Sequence, residues 1–187
     1  YHPCQILADY LTIREKLGNT RGLKLGVAWT SAPNYVRPIS VPHSLILMMP
    51  RLGIDVTLAY PPEFELLPEI EEQARRNAKE SDARFEISHR FEDAFEDADV
   101  VIPKSWGPLV HTQDHAEGIR LIEAYPDWRC DAERMALGKD HMLYMHPLPA
   151  DRGREVTDEV IDGPQSVVYD EAENRLHVQK ALMALTM

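Results

Sequence analysis

The sequence is poor in the features that mark several large protein classes. Its 20 basic residues are outnumbered by 31 acidic residues, for a net charge of −11. This argues against nucleic acid as a partner, because phosphate backbones are bound by clustered cations. A small anionic substrate is not excluded, since a few local donors can outweigh the overall charge. No apolar run approaches the roughly 18 residues of a membrane span, so we expect no membrane partner.

Cysteine and glycine patterns are missing as well. Cys4 and Cys130 show neither a CxxC nor a zinc-ligand spacing, which predicts no metal site and favours a reducing, cytoplasmic location. Nicotinamide-dependent enzymes carry G-x-G-x-x-G after their first strand. Here Thr30-Ser31-Ala32-Pro33 follows the first apolar run, so that class is disfavoured and no cofactor is predicted.

What the chain does contain is typical of one globular domain. It has 187 residues, of which 44 % are apolar and 27 % are charged. Tyr1 is not an initiator methionine and a helical pattern starts at once, so we expect a fragment or the ordered part of a longer protein. The three-and-four spacing of one helix face is followed by Leu7, Tyr10, Leu11, Arg14 and Leu17, and a mainly apolar face of this kind is typical of the side that packs on a core.

Apolar runs then alternate with helical patterns. Strands are predicted at 23–29, 55–60, 85–88, 99–103 and 142–146, and the last helix is predicted from Asp170 onward with Ala172, Leu176, Gln179 and Met183 on its buried face. The polar stretch 107–127 gives no clear prediction. Alternation of this kind indicates parallel pairing with right-handed crossovers. We therefore predict an α/β domain, doubly wound, with a mainly parallel sheet and helices on both faces.

Ligands of such sheets bind beyond the carboxyl ends of the strands. Two segments fit that position, Lys104-Ser105-Trp106-Gly107 and His146-Pro147-Leu148-Pro149. The prolines of the second segment remove N–H groups and leave carbonyl oxygens available to a ligand. A kinked loop that simply ends a strand remains an alternative interpretation.

Two helix starts carry further candidate residues. His2-Pro3-Cys4-Gln5 opens the first helix, where free N–H groups and a partial positive charge suit an anion, although a capping role explains the same residues. Asp170-Glu171-Ala172-Glu173-Asn174-Arg175 opens the last helix. Acidic residues there also complement the helix dipole, in which case Arg175 is only their ion-pair partner.

In this order, HPCQ, KSWG, HPLP and DEAENR resemble the transcarbamylase family, which includes ornithine, aspartate and N-acylornithine transcarbamylases. The resemblance covers residues 1–187 as the family's second, acceptor-binding domain, and implies that the first, carbamoyl-phosphate domain is absent from this chain. It implies a carbamoyltransferase that moves the carbamoyl group of carbamoyl phosphate to an amine or amide nitrogen of a small, carboxylate-bearing acceptor. It also implies a homotrimer. A non-catalytic relative with the same fold remains the alternative.

The resemblance also assigns roles. His2 binds the carbamoyl oxygen, Gln5 and the Leu148 carbonyl hold the carbamoyl NH2 group, and Arg175 lies at the carbamoyl phosphate site. The implied carbamoyl-phosphate residues are His2, Pro3, Gln5, Pro147, Leu148 and Arg175, with His2, Gln5 and Arg175 as the catalytic ones. The implied acceptor-binding residues are Lys104, Ser105, Trp106, Pro147 and Leu148. Fixed donors of this kind stabilise the oxyanion that develops at the carbamoyl carbon.

The proline-rich segment 33–42 distinguishes the members of the family. It resembles the loop of N-acetylornithine, N-succinylornithine and unassigned-acceptor transcarbamylases, and implies a trefoil knot, although an ordinary surface loop remains an alternative. Pro147 replaces the cysteine of ornithine-type enzymes. Asp151 stands where N-acylornithine enzymes carry arginine, and its negative charge disfavours the same anionic acceptor group. Ala150 stands where aspartate enzymes carry arginine. The acceptor therefore stays open. The other six histidines are predicted to be structural or solvent-facing: His43, His89, His111, His115, His141 and His177.

Overall fold

The computed structural model describes residues 1–33 and 37–187 and contains a five-stranded parallel sheet. The strands are β1 (Lys24–Trp29), β2 (Asp55–Ala59), β3 (Phe85–Ser88), β4 (Val100–Lys104) and β5 (Leu143–Tyr144), in the spatial order β3-β2-β1-β4-β5. All four pairings are parallel. The predicted α/β class and the parallel pairing are confirmed, and each strand lies within one residue of its predicted start.

Seven α-helices lie in the described ranges. They are α1 (Pro3–Leu17), α2 (Ser40–Met48), α3 (Pro68–Glu80), α4 (His115–Glu123), α5 (Ala132–Met135), α6 (Asp158–Ile161) and α7 (Val168–Thr186). Short 3-10 turns span Pro50–Leu52, Pro62–Phe64 and Glu92–Ala94. Within these ranges, no helix combines the length and apolar character that a membrane crossing requires.

Alternate strand residues enter two separate apolar cores. Val27 and Ile102 pack into the larger core with α1, α2 and α3, whereas Ala28 and Val101 pack into a second core with α5, α6 and the start of α7. Since successive side chains of a strand point to opposite faces, the two cores cover the two faces of the sheet. Helices on both faces, as predicted, account for the nearly continuous burial of β1.

The chain runs outward from β1 to β3 and then returns to place β4 beside β1. Leu25 of β1 therefore pairs with Val56 of β2 on one side and with Val100 of β4 on the other. This reversal creates a crevice beyond the carboxyl ends of β1 and β4, where ligands of open α/β sheets bind. Lys104 closes β4 at that crevice.

The predicted buried face of α1 is wrong. The structure buries a face rotated toward Gln5, Asp9, Thr12 and Ile13, while Tyr10 and Leu17 contact the core only from its margin. The physical reason is that α1 packs against α7 partly through polar side chains, which an apolar periodicity does not detect. Thr12 Oγ1, for example, accepts a hydrogen bond from Asn174 Nδ2 of α7 (2.9 Å).

The predicted face of α7 is wrong for the same reason. Val168, Glu171 and Asn174 are its buried residues, whereas Leu176 is 68 % and Met183 52 % exposed. The helix begins two residues earlier than predicted. The buried side of α7 is therefore the side whose polar residues face α1. Leu176 and Met183, which lie on the predicted apolar face, are exposed to solvent in this chain.

The polar stretch 107–127, for which the sequence gives no clear prediction, contains α4. Asp114 precedes this helix, and its Oδ1 accepts from the backbone N–H groups of Ala116 (2.8 Å) and Glu117 (3.1 Å). That arrangement is an N-cap. Asn34, Tyr35 and Val36 of the proline-rich segment lie outside the described residues, and the trefoil knot stays a prediction.

Candidate functional site

A cavity of about 210 Å³ opens at the crevice beyond β4 and β5. Seven of the predicted site residues line it, namely His2, Gln5, Lys104, Ser105, Pro147, Leu148 and Arg175. They come from the start of α1, the ends of β4 and β5, and the second turn of α7. Arg37, Pro38, Val41 and Pro149 complete the wall. Segments as distant in sequence as those of Gln5 and Arg175, which are 170 residues apart, thus meet at one edge of the sheet.

His2 immediately precedes α1, and its backbone N–H donates to Ser44 Oγ of α2 (2.8 Å). Pro3 occupies the first helical position, where its missing N–H costs nothing, and it is exposed and outside the cavity lining. Burial and the charge of Arg175 lower the pKa of His2. Its imidazole is therefore neutral near pH 7 and carries one N–H donor.

The Gln5 side chain is buried and engaged at both ends. Its Nε2 donates to Asp9 Oδ1 (2.7 Å) and to Glu171 Oε1 (3.1 Å), while its Oε1 accepts from Arg175 Nη1 (2.8 Å). The nitrogen end of the amide is identified by the carboxyl oxygens on one side and the Arg175 guanidinium on the other. A carbonyl oxygen has a second lone pair, so Gln5 Oε1 can accept one further hydrogen bond.

Arg175 does not pair with the acidic residues of its own motif. Asp170 instead forms an ion pair with Lys16 (2.8 Å), and Glu171 points into the protein, where its Oε2 accepts from the His146 N–H (2.8 Å). Arg175 is half-buried on the cavity wall. Its guanidinium contacts Gln5 through Nη1 and lines the cavity.

Lys104 shares its surroundings with Glu155, a fully buried residue. Lys104 Nζ lies 3.4 Å from Glu155 Oε1, and the same oxygen accepts from the Ser105 N–H (2.7 Å). The other oxygen accepts from the Asp151 N–H (2.8 Å). Burial alone would raise the pKa of Glu155, but contacts with His146 and Lys104 lower it below the usual range. Glu155 is thus an anion that holds Lys104 and the end of β4 in place.

The HPLP segment forms the opposite wall. His146 is completely buried, and its Nε2 lies 3.3 Å from Glu155 Oε1; burial lowers the pKa of His146, so its ring is neutral. Pro147 and Leu148 line the cavity, and the Leu148–Pro149 peptide is cis. A second cavity of about 200 Å³ shares Gln5, Leu148 and Arg175 with the first. The two cavities are therefore neighbours, and both contain Gln5 and Arg175 in their walls.

Trp106 is placed differently from the other predicted acceptor residues. Its side chain is buried in the larger core, outside the cavity lining, and its Nε1 donates to the Phe64 carbonyl (2.8 Å). Its own carbonyl accepts from Trp29 Nε1 (2.8 Å). The indole therefore supports the wall behind Ser105, and nothing in this arrangement supports direct contact with an acceptor.

Four functional candidates were missed by sequence reasoning. Asp9 lies four residues after Gln5, on the same helix face, and that spacing is a signal that could have identified it. Glu155 lies in a charged stretch without periodicity, so no local signal marks it. Arg37 forms an ion pair with Asp151, a contact between distant segments that only the fold brings together. Glu171 was noticed only as a helix-dipole residue.

The remaining histidines behave as predicted where the structure describes their contacts. His43 is buried, its Nε2 accepts from the Leu67 N–H (3.3 Å), and burial lowers its pKa to about 4. His141 lies 2.8 Å from Asp99 at the opposite end of the sheet, and His177 lies on the exposed side of α7. Within residues 1–33 and 37–187, no cluster of three or more His, Cys, Asp or Glu side chains is arranged to hold a metal ion.

Comparison with known proteins gives a consistent assignment. Residues 37–186 match the family described as "Aspartate/ornithine carbamoyltransferase, Asp/Orn binding domain". Ornithine carbamoyltransferase of Thermococcus kodakarensis is 42 % identical over 186 residues, which are 100 % of this chain and 56 % of that protein. The putative carbamoyltransferase YgeW of Escherichia coli K12 is 37 % identical over 97 % of this chain and 52 % of its own length.

A solved structure is similar over the whole chain. It is a variant of N-acetyl-L-ornithine transcarbamylase complexed with carbamyl phosphate and N-succinyl-L-norvaline, with a TM-score of 0.92, 37 % identity, and coverage of 100 % of this chain and 56 % of that one. The chain thus spans slightly more than half the length of these relatives. On the match of its fold and of most of its length, the chain belongs to the aspartate/ornithine carbamoyltransferase family.

Proposed function

We propose that this chain is the acceptor-binding half of a carbamoyltransferase. The enzyme moves the carbamoyl group of carbamoyl phosphate to an amine or amide nitrogen of a small, carboxylate-bearing acceptor and releases phosphate. The observation that carries the proposal is the convergence of His2, Gln5, Leu148 and Arg175 on one cavity at the crevice of the sheet. The first domain, which supplies the remaining phosphate ligands, and a homotrimeric assembly are parts of the same proposal.

The geometry suits charge development on a carbamoyl group. A neutral His2 donates to the carbamoyl oxygen, and the free lone pair of Gln5 Oε1 accepts from the carbamoyl NH2 together with the Leu148 carbonyl. Arg175 supplies a positive charge at the same wall. As the acceptor nitrogen attacks, negative charge grows on the carbamoyl oxygen, and a fixed donor aimed at it contributes roughly 2.7–4 kcal/mol to the barrier reduction. Phosphate leaves, and no covalent intermediate on the protein is needed.

The acceptor is proposed to bind on the β4 side of the cavity. Lys104 ends β4 there, and Ser105 Oγ is buried with no partner among the described residues, so it is available to a polar ligand. Asp151 would by itself repel an anionic acceptor. Its ion pair with Arg37 compensates that charge, which removes the sequence-based argument against a carboxylate-bearing acceptor such as an N-acylornithine.

The test is a carbamoylation screen with the full-length protein. Phosphate release from carbamoyl phosphate is measured against ornithine, N-acetylornithine, N-succinylornithine, aspartate and simple amines and amides. We expect one class of acceptor to stimulate release, and His2→Ala to lower kcat about 10²–10³-fold because an oxyanion donor is lost. The exposed His177→Ala on α7 serves as the matched control and should leave kcat unchanged.

Failure of every acceptor to stimulate phosphate release would favour the non-catalytic alternative. Equal effects of His2→Ala and His177→Ala would remove His2 from the reaction even if transfer is observed. The screen thereby separates the activity of the protein from the role of this residue.

A further inference from the structure

Two buried carboxyl groups lie directly behind Gln5, and the reaction above uses neither. Asp9 lies one turn further along α1, and Glu171 lies in the first turn of α7; their exposed fractions are 0 % and 1 %. Both accept a hydrogen bond from the same nitrogen, Gln5 Nε2, at 2.7 and 3.1 Å. The two carboxyl groups therefore share one NH2 group in the protein interior.

Two charged carboxylates at this place would be costly. Burial disfavours each charge, and repulsion disfavours the second. Within the described residues, the hydrogen-bond donors to the pair are neutral, namely Gln5 Nε2 and the backbone N–H of His146. The titratable groups that face the pair from neighbouring elements are Arg175 on α7, Lys104 at the end of β4 and Tyr144 of β5.

Among the described residues, one carboxyl oxygen of the pair has no hydrogen-bond donor. This oxygen is the buried Asp9 Oδ2, and an ionised carboxylate oxygen that is buried without a donor is costly. A proton carried by either carboxyl group would turn this unpaired atom into part of a hydrogen bond between the two acids. We propose that Asp9 and Glu171 hold one proton between them and act as positioning residues for the Gln5 amide.

The consequence for Gln5 is a fixed orientation. If the amide were flipped, its oxygen would face the carboxyl oxygens of Asp9 and Glu171, and its NH2 group would face the Arg175 guanidinium. Both contacts are unfavourable, so Oε1 is held toward Arg175 and the cavity. This is the orientation that accepts from a carbamoyl NH2 group, and to that extent the inference rests on the proposed function. The shared proton itself does not.

The titration of the pair gives a pH window. Burial raises the pKa of Asp9 to about 7, and burial together with the charge of Asp9 raises the pKa of Glu171. A folded state with a raised carboxyl pKa binds the proton more tightly than the unfolded chain does. The stabilising contribution is therefore complete below the ordinary pKa of 3.8 and is lost as the pH rises through about 7.

Infrared spectroscopy of the full-length protein tests the proton directly. At pH 6 the wild type should show the carbonyl stretch of a protonated, buried carboxylic acid, shifted in D2O, because ordinary side-chain carboxyls are ionised there. The band should be missing from the double variant Asp9→Asn, Glu171→Gln and retained in Asp170→Asn, whose carboxylate is solvent-accessible. A wild-type spectrum without the band would overturn the proposal, whether or not the double variant folds.

Kinetics test the positioning role. Asp9→Asn keeps the oxygen that accepts from Gln5 and replaces the proton by a permanent N–H donor, so KM for carbamoyl phosphate should stay within about twofold of wild type. Asp9→Ala removes one of the two carboxyl acceptors of Gln5 Nε2, loosens the Gln5 amide and should raise that KM about tenfold. Above pH 7 the wild-type KM should rise, whereas that of Asp9→Asn should not.

Equal KM values for Asp9→Asn and Asp9→Ala would overturn the positioning role. A wild-type protein that shows the infrared band but transfers no carbamoyl group to any acceptor would contradict the proposed function and confirm the shared proton. The two failures are therefore distinguishable.

Discussion

The contacts of Arg175 distinguish between two interpretations of the DEAENR segment, a helix start stabilised by ion pairs and a ligand-binding site. An arginine that served only as the ion-pair partner of the acidic residues in the first turn would contact them, yet Asp170 pairs with Lys16 and Glu171 points inward. Arg175 instead donates to Gln5 Oε1 at the cavity wall. Because Arg175 lines the cavity and forms an ion pair with no carboxylate in the described part of the chain, we propose that it binds the ligand.

Arg175→Gln should therefore act on binding. We expect the affinity for carbamoyl phosphate to fall by about 1.5–3 kcal/mol, the usual contribution of a hydrogen bond to a charged group. The melting temperature should barely change, since Gln5 keeps its bonds to Asp9 and Glu171. Calorimetric titration and a thermal melt of the full-length protein measure the two effects. His177→Gln, on the exposed side of the same helix, is the control, and a shifted melt with unaltered affinity would contradict this assignment.

At the scale of elements, β1 and the 3-10 turn at Glu92–Ala94 lie so close together that a side chain at Gly26 has no room. A Cβ atom at Gly26 would lie 1.8 Å from the backbone oxygen of Ala94, in the 3-10 turn beneath the sheet. A Cβ at Gly138 would lie 2.2 Å from Met142 Sδ, the flexible end of a side chain. Backbone cannot move aside without disturbing the sheet, whereas a methionine can adopt another rotamer.

Gly26→Ala should consequently cost more stability than Gly138→Ala. We expect the first substitution to lower the free energy of unfolding by about 1–3 kcal/mol or more, the range for overpacking, and the second by clearly less. Urea unfolding of both variants and of the wild type measures the difference. Equal losses of unfolding free energy in the two variants would show that the backbone of the Ala94 turn adjusts to an added methyl group as easily as the Met142 side chain does.

Strands were predicted better than helix faces, and the reason is physical. Runs such as Lys24–Trp29 are buried on both sides, so their apolar composition suffices to identify them. In α1 and α7 the buried faces carry Gln5, Asp9, Glu171 and Asn174, and an apolar periodicity necessarily selects the wrong side. The four motifs predicted most of the cavity wall. Glu155 could not be predicted, because its role depends on contacts between distant segments.

For the whole molecule, the cavity itself indicates how much of the site this chain supplies. Its volume of about 210 Å³ is below the roughly 300–1,000 Å³ of typical small-molecule sites. Among the described residues, the cations of its wall are largely committed, since Lys104 pairs with Glu155 and Arg37 with Asp151. Arg175 is the cation left for a phosphate group. The relatives compared above are nearly twice as long as this chain.

We therefore predict that residues 1–187 alone do not catalyse carbamoyl transfer. One uncommitted arginine and a helix start can hold carbamoyl phosphate only weakly, and the leaving phosphate would lack the charge neutralisation that phosphoryl and acyl transfer require. The measurement is phosphate release by the isolated chain and by the full-length protein at equal concentration, with the acceptor identified in the screen. Arg175→Gln in the isolated chain should remove even the residual binding. Turnover by residues 1–187 near the full-length rate would show that the cavity is a complete active site, and that the half-site proposal is wrong.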